Sequence, residues 1–242
     1  MTINYLLSTD STSVYLRNLL KDGDLPDKYC VCADFQTVGR GQMGTVWESN
    51  KGENLLFSVY LKTAKIPVNQ QFLLSEIVAL GIISALKKYL PEIKIKWAND
   101  IYFQDKKLCG VLVENVIAGS QMKYSIIGIG LNINQLYFSE KTSNAISLRK
   151  ILNKKFDLKV ILQEVLNEIF TLFDNFLPEK SEDLQRQYFE NLYRNSGFFP
   201  YSADGENFNA KIVSVDADGR LNLLTDNGIE KSFYFKQVQF LI

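Results

Sequence analysis

The 242-residue sequence contains no histidine. That absence removes Ser-His-Asp and Cys-His nucleophilic catalysis, and with them every histidine-ligated metal site. Cysteine is scarce: Cys30, Cys32 and Cys109. An odd count and a one-residue gap do not make a disulfide framework, and three thiols without histidine fall short of a four-ligand zinc site. No metal ligands are expected. Nowhere do apolar residues run for the roughly 18 positions that a membrane span needs. Met1–Asp10 lacks the basic segment and apolar run of a secretory leader. Net charge is also missing: 27 basic residues balance 27 acidic ones, so a general basic face for nucleic acid is not expected. The sequence reads as a soluble, reduced, cytoplasmic protein that must work with Lys, Arg, Asp, Glu, amides and backbone.

What is present is an ordinary globular composition, 46% apolar and 22% charged, long enough to bury a core without disulfides. Ser11–Leu20 reads as a short helix capped by Asp10, Ser11 or Thr12, with Val14, Tyr15, Leu19 and Leu20 as its apolar side. Tyr29–Ala33 and Leu55–Leu61 read as buried strands. Between Pro67 and Pro91, Leu73, Ile77, Leu80 and Ser84 recur at helical spacing. Ile93, Ile95 and Trp97 alternate with lysines, the period of a half-buried strand. Ile101–Phe103 and Leu108–Val113 flank a polar turn as a hairpin, and Tyr124–Ile133 continues the sheet. Val160–Leu177 carries an apolar stripe of Ile161, Val165, Ile169, Leu172, Phe173 and Phe176. After about Ser196 the texture changes to short strands and turns, a small β module with six acids and four bases.

Gly39-Arg40-Gly41-Gln42-Met43-Gly44 matches a dinucleotide fingerprint in spacing only. No helix start follows it, and no acid stands about 20 residues on. Three glycines around an arginine instead suit a loop whose backbone can approach an anion. Lys96-Trp97-Ala98-Asn99-Asp100 puts a lysine, an amide and a carboxylate at one strand end, although Asn-Asp is also ordinary turn chemistry. Lys107 stands at the mouth of an apolar strand that contains Gly110 and ends at Glu114. Gly128 and Gly130 sit inside another strand, where glycine often marks close approach of a ligand or backbone. Cys109 has no base partner and reads as a small buried residue.

Taken in order, Asp10-Ser11-Thr12, Gln36, the Gly39–Gly44 loop with Trp47, Lys96-Trp97-x-Asn99-Asp100, Lys107-Leu108-x-Gly110 and Gly128-x-Gly130-x-Asn132 resemble the biotin–protein ligases, in the short form without a DNA-binding domain. The resemblance implies an α/β (α+β) fold: a mixed sheet with flanking helices like that of class II aminoacyl-tRNA synthetases, over residues 1–194. A small SH3-like β-barrel over 195–242 completes it. It implies that biotin and MgATP form biotinyl-5′-AMP, and that biotin then passes to one lysine of the carrier domain of a biotin-dependent carboxylase. It implies no DNA partner and no membrane partner. Monomer and homodimer stay open.

By the same resemblance, biotin lies against Ser11, Thr12, Ser13, Gln36, Gly39, Arg40, Gly41, Gln42, Lys107, Gly110 and Gly128. The nucleotide lies against Arg40, Trp47, Lys96, Asn99, Lys107 and Asn132, and near Ile146 and Ser147. Arg40, Lys96, Asp100 and Lys107 carry the chemistry, with Asp100 orienting the incoming amine. Two departures stand out: Gln42 where many relatives have a second arginine, and Ala98 where proline is common. The alternatives are a lipoate or octanoate ligase or transferase, and a non-catalytic nucleotide-binding or carrier-docking module.

Overall fold

The computed structural model of the chain describes every residue except 42–44. Seven strands form one sheet in the order β1-β2-β3-β7-β6-β5-β4. They are β1 (Thr2–Leu6), β2 (Tyr29–Ala33), β3 (Leu55–Leu61), β4 (Ile93–Lys96), β5 (Asp100–Phe103), β6 (Lys106–Ala118) and β7 (Gln121–Leu131). The β1–β2 pair is parallel and the remaining pairs are antiparallel. This is the mixed sheet that the family resemblance implied.

Helices cover both faces. On one side, α1 (Thr12–Asp22) buries Leu16 with Val31 and Tyr60. On the other, α2 (Leu73–Leu86) and α4 (Leu158–Asn175) pack on Cys30, Phe57, Val59 and Leu61. The period-2 geometry of strands divides neighbouring residues between these two layers. Every residue of β3 is buried, as expected for a central strand covered on both faces. Two short helices, α3 (Leu148–Leu152) and α5 (Ser181–Glu190), complete the helical part. All three thiols are free and buried, and burial pushes each one above the ordinary cysteine range, Cys32 to about 12. Cys109 is therefore the inert small residue that its sequence context suggested.

The C-terminal segment forms a separate antiparallel sheet in the order β11-β10-β9-β8-β12. Its strands are β8 (Phe199–Ala203), β9 (Glu206–Val215), β10 (Leu221–Thr225), β11 (Glu230–Phe233) and β12 (Gln239–Phe240). Turns at Asp204-Gly205 and Asn227-Gly228 place the second residue of each at positive φ, which glycine adopts without steric cost.

Four elements were not anticipated: β1, α3, α5 and β8. Ser84 also turns out to be exposed on α2, so the buried stripe continues through Ile83 and Leu86 instead. On α1 the fully buried apolar residue is Leu16, while Val14, Tyr15, Leu19 and Leu20 are half-buried. Among the described residues no helix is long and apolar enough to cross a membrane.

Candidate active site

The site lies on the α1 side of the sheet, where glycine leaves the surface bare. Alternation puts Gly128, Gly130 and Asn132 on one face of β7 and its extension. Gly110 and Leu112 lie beside them on β6, with Gly110 opposite Gly130 and Leu112 opposite Gly128. Trp47 fills part of that floor. A Cβ at Gly130 would stand 2.4 Å from the Trp47 ring, and one at Gly110 2.7 Å from it. The two glycines are thus the seat of the indole, the close approach that glycine inside a strand signals.

The described residues on either side of 42–44 pair with one another ahead of Trp47. Arg40 pairs with Val46 as an antiparallel bridge. Gly41 N–H donates to Thr45 O at 2.6 Å, and Trp47 N–H donates to Gly39 O at 3.0 Å. These bonds tie the two feet of the glycine-rich segment together. Gln42 and Gly44 lie outside the described residues.

A hydroxyl and amide cluster forms one end of the cavity. Residues 34–38 run beside residues 6–10, with Thr9 N–H bonded to Phe35 O and Thr37 N–H to Thr9 O. This brings Gln36 to the start of α1, where its Oε1 accepts from Thr12 N at 2.7 Å and from Thr12 Oγ1 at 3.0 Å. Thr12 Oγ1 also lies 2.8 Å from Ser58 Oγ, and Ser11 Oγ lies 3.0 Å from Ser13 Oγ. All four hydroxyl-bearing residues are buried. Ser11 occupies the N-cap position of α1 without a side-chain cap, so its hydroxyl is not committed to the helix.

Charge gathers at the other end. Lys107 Nζ pairs with Asp100 Oδ2 at 2.6 Å and lies 5.6 Å from the centre of the Trp47 ring. The Lys107 backbone is pinned by bonds to Asn144 O and from Ile146 N. Asp100 opens β5, the strand that packs antiparallel to β6. On the loop side Glu48 accepts from Ser139 and Thr142. The Ser139 hydroxyl bond is the largest of the effects that hold its carboxyl below the usual carboxylate range.

One cavity of about 330 Å³ joins these groups. Its walls include Ser11, Thr12, Ser13, Gln36, Arg40, Gly41, Trp47, Asp100, Lys107, Gly110, Gly128 and Asn132. Arg40 and Lys107, far apart in sequence, face the same space. Two buried polar atoms on the walls, Trp47 Nε1 and Asn132 Oδ1, have no hydrogen-bond partner among the described residues. Native proteins seldom leave such atoms unsatisfied.

Three expected residues fall outside the walls. Gly39 sits behind Trp47, where a Cβ would stand 2.5 Å from Trp47 O. Asn99 is buried and does not line the cavity. Lys96 projects toward the C-terminal sheet, with Nζ 5.2 Å from the Tyr102 ring centre and 4.9 Å from that of Phe240. Ile146 and Ser147 are also displaced from the walls, with Thr142, Asn144 and Ala145 in their place. Ser147 is a structural residue: its hydroxyl donates to Gln135 O and accepts from Lys150 N at the start of α3.

Several lining residues gave no sequence signal. Ser58 is hidden in the apolar run of β3. Phe235 and Lys236 enter from the turn between β11 and β12, so the C-terminal sheet contributes to the same cavity.

A mixed α/β core with a cavity that pairs a hydroxyl–amide end with a cationic end is the framework of a protein that holds a polar, anionic small molecule. The sequence matches the biotin/lipoate A/B protein ligase family over residues 5–132, and the chain belongs to that family. It is 27% identical over 232 residues to the bifunctional ligase/repressor BirA of Bacillus subtilis, covering 94% of this chain and 70% of that protein. It is 32% identical over 136 residues to Escherichia coli BirA, 56% of this chain and 41% of that one. The fold is similar to that of the biotin protein ligase from Aquifex aeolicus in complex with biotin and ATP, with a TM-score of 0.80, 26% identity and 99% of each chain covered.

Proposed function

We infer that the protein is an ATP-dependent biotin–protein ligase. It joins biotin to AMP with release of pyrophosphate and passes biotin to a lysine of a carboxylase carrier domain. The observation that carries this reading is the single cavity in which Arg40 and Lys107 face the Ser11, Thr12 and Gln36 cluster. A ureido ring offers one carbonyl and two N–H groups, and hydroxyls with a side-chain amide match that set. Lipoate lacks this ring and offers the hydroxyls and the amide no matching donors and acceptors at that end of the cavity.

In the first step the biotin carboxylate oxygen attacks the α-phosphorus of ATP, and the bond to pyrophosphate breaks. Two anions must meet, so fixed cations are required to offset repulsion and developing charge. Arg40 and Lys107 supply them, and Lys236 adds a third on the wall. Lys107 is held by Asp100, so an entering anion takes over a charge already aimed into the cavity. Trp47 Nε1 and Asn132 Oδ1 meet the nucleotide. Mg²⁺ arrives with the triphosphate. Arg40, Gly41, Thr45, Val46 and Trp47 wall the cavity on that side and help keep water from the mixed anhydride.

In the second step the carrier lysine's amine attacks the biotinyl carbonyl, AMP leaves and a proton is lost. Asp100 orients that amine. Residues 1–194 form the catalytic unit and 195–242 the appended β unit. The need for ATP and the buried free thiols support a cytoplasmic location.

The test is incorporation of labelled biotin into a carboxylase carrier domain with MgATP. Label on the carrier lysine is expected, and no label on a carrier that another ligase modifies would overturn the reading. In a thermal-shift experiment biotin with MgATP is expected to raise the melting temperature more than either alone, and lipoate with MgATP is not.

A further inference from the structure

Lys96 lies beside the cavity but does not line it, and its surroundings are specific. Its ammonium rests on two rings at once, Tyr102 at 5.2 Å and Phe240 at 4.9 Å. Tyr102 belongs to β5 and lines the cavity. Phe240 belongs to β12, the last strand of the C-terminal sheet, where it packs edge-on against Tyr201 at 4.9 Å. Asp100, the partner of Lys107, stands directly opposite Lys96 in the β4–β5 register. Arg194 flanks the same spot, donating to Pro200 O at 3.3 Å and to Leu241 O at 2.9 Å. The groups with charge near Lys96 are Asp100, Lys107 and Arg194. A cation between two rings is attracted by both ring faces, so this lysine bridges the catalytic sheet to the C-terminal sheet.

We propose that Lys96 is a positioning residue: it makes no contact with the nucleotide and acts through Tyr102 and Phe240, setting Asp100 and Tyr102 on the cavity wall and fastening the C-terminal sheet beside them. This rests on the ligase reading for its assay and departs from it in the role given to Lys96. A lysine that binds phosphate directly gains nothing from Phe240. A lysine that acts through Phe240 loses its effect when that ring is removed.

A double-mutant cycle separates the two. Lys96→Met, Phe240→Leu and the double variant are compared with wild type in ATP-dependent adenylate formation. Each single change is expected to lower kcat about tenfold, the range of a partly buried cation–π contact, with KM for ATP within twofold. The double variant is expected to be no slower than Lys96→Met alone, and Lys96→Arg, which keeps a cation over both rings, is expected to restore most of the rate. A Lys96→Met variant whose KM for ATP rises more than tenfold would overturn the proposal. So would multiplicative losses in the double variant, or a Phe240→Leu variant with wild-type kcat. If Lys96→Met folds poorly, Phe240→Leu alone decides on the same criterion. Failure of the wild-type protein to form any adenylate would strike the ligase reading instead, so the two failures are distinguishable.

Discussion

Gly130 is the position where a single methyl group meets the firmest resistance. Its added Cβ would lie 2.4 Å from Cε2 and 2.7 Å from Nε1 of Trp47. The backbone of β7 is held by antiparallel pairing on both sides, so the indole must move rather than the strand. Gly130→Ala is therefore expected to leave the fold intact and displace Trp47. KM for ATP should rise by about tenfold or more while the melting temperature changes little, and an unchanged KM would show that Trp47 does not serve the nucleotide. Lys107 carries a different consequence. Its ammonium is the cation paired with Asp100, and removing one preorganised charge at a site of developing charge costs about 10²–10³ in rate. Lys107→Ala is expected to lose adenylate formation on that scale, read as pyrophosphate release. Near wild-type release would refute its role.

At the scale of elements, α2 carries a buried acid. Glu76 has no exposed surface, and neither of its carboxylate oxygens has a partner among the described residues. It faces a second cavity with Gln185, Arg186 and Tyr188 of α5 and Ser214 of β9. Burial alone raises its carboxyl from the ordinary 4.5 to about 8. The native state therefore keeps a proton that the unfolded chain releases from about pH 4.5 upward. Stability falls as pH rises through that window, by about 1.4 kcal/mol per unit at most, and the decline ends above about pH 8. Glu76→Gln removes the titration. The drop in melting temperature between pH 6 and pH 9 is expected to be smaller in this variant than in wild type, and equal drops would show that Glu76 is already ionised.

The same scale explains what the sequence made legible. α4 and β4 announce themselves because one face alone is buried, so period 3.6 or period 2 survives in the letters. β1 does not. Thr2–Leu6 pairs only with β2, at a sheet edge, and Tyr5 is half exposed, so no alternation marks it. α5 buries only Leu184 and Tyr188, a single contact of one turn in an otherwise polar helix. At the site, Arg40, Asp100 and Lys107 are modest signals singly, since a charge in a turn or at a strand end is commonly just solvated, and they stand out only through their order and spacing with the glycines and Trp47, which carry the family resemblance. Ser58 could not stand out, since a serine within a fully buried run looks like any small core residue. The entry of Lys236 depends on how two sheets meet, which no local spacing encodes.

For the whole molecule, the meeting of the two sheets is the decisive feature, and the segment Lys96–Asp100 is where it happens. Trp97 Nε1 donates to Gly219 O at 2.9 Å in a buried contact, and its ring lies 5.9 Å from that of Phe235. The Tyr188 hydroxyl donates to Ala98 O, so α5 braces the same turn. Phe235 and Lys236 then stand on the cavity wall together with Asp100. The position of the C-terminal sheet and the completeness of the cavity are thus set by one joint. Trp97→Phe keeps an aromatic ring there but leaves Gly219 O without its donor, an uncompensated buried acceptor that costs about 1–3 kcal/mol. Two effects are expected together: urea unfolding at lower concentration, and a smaller thermal shift on adding MgATP to the biotin-bound protein. The second is the informative one. A joint that merely adds stability would lower the melting temperature with and without nucleotide by the same amount. A joint that brings Phe235 and Lys236 to the nucleotide must also shrink the difference between the two.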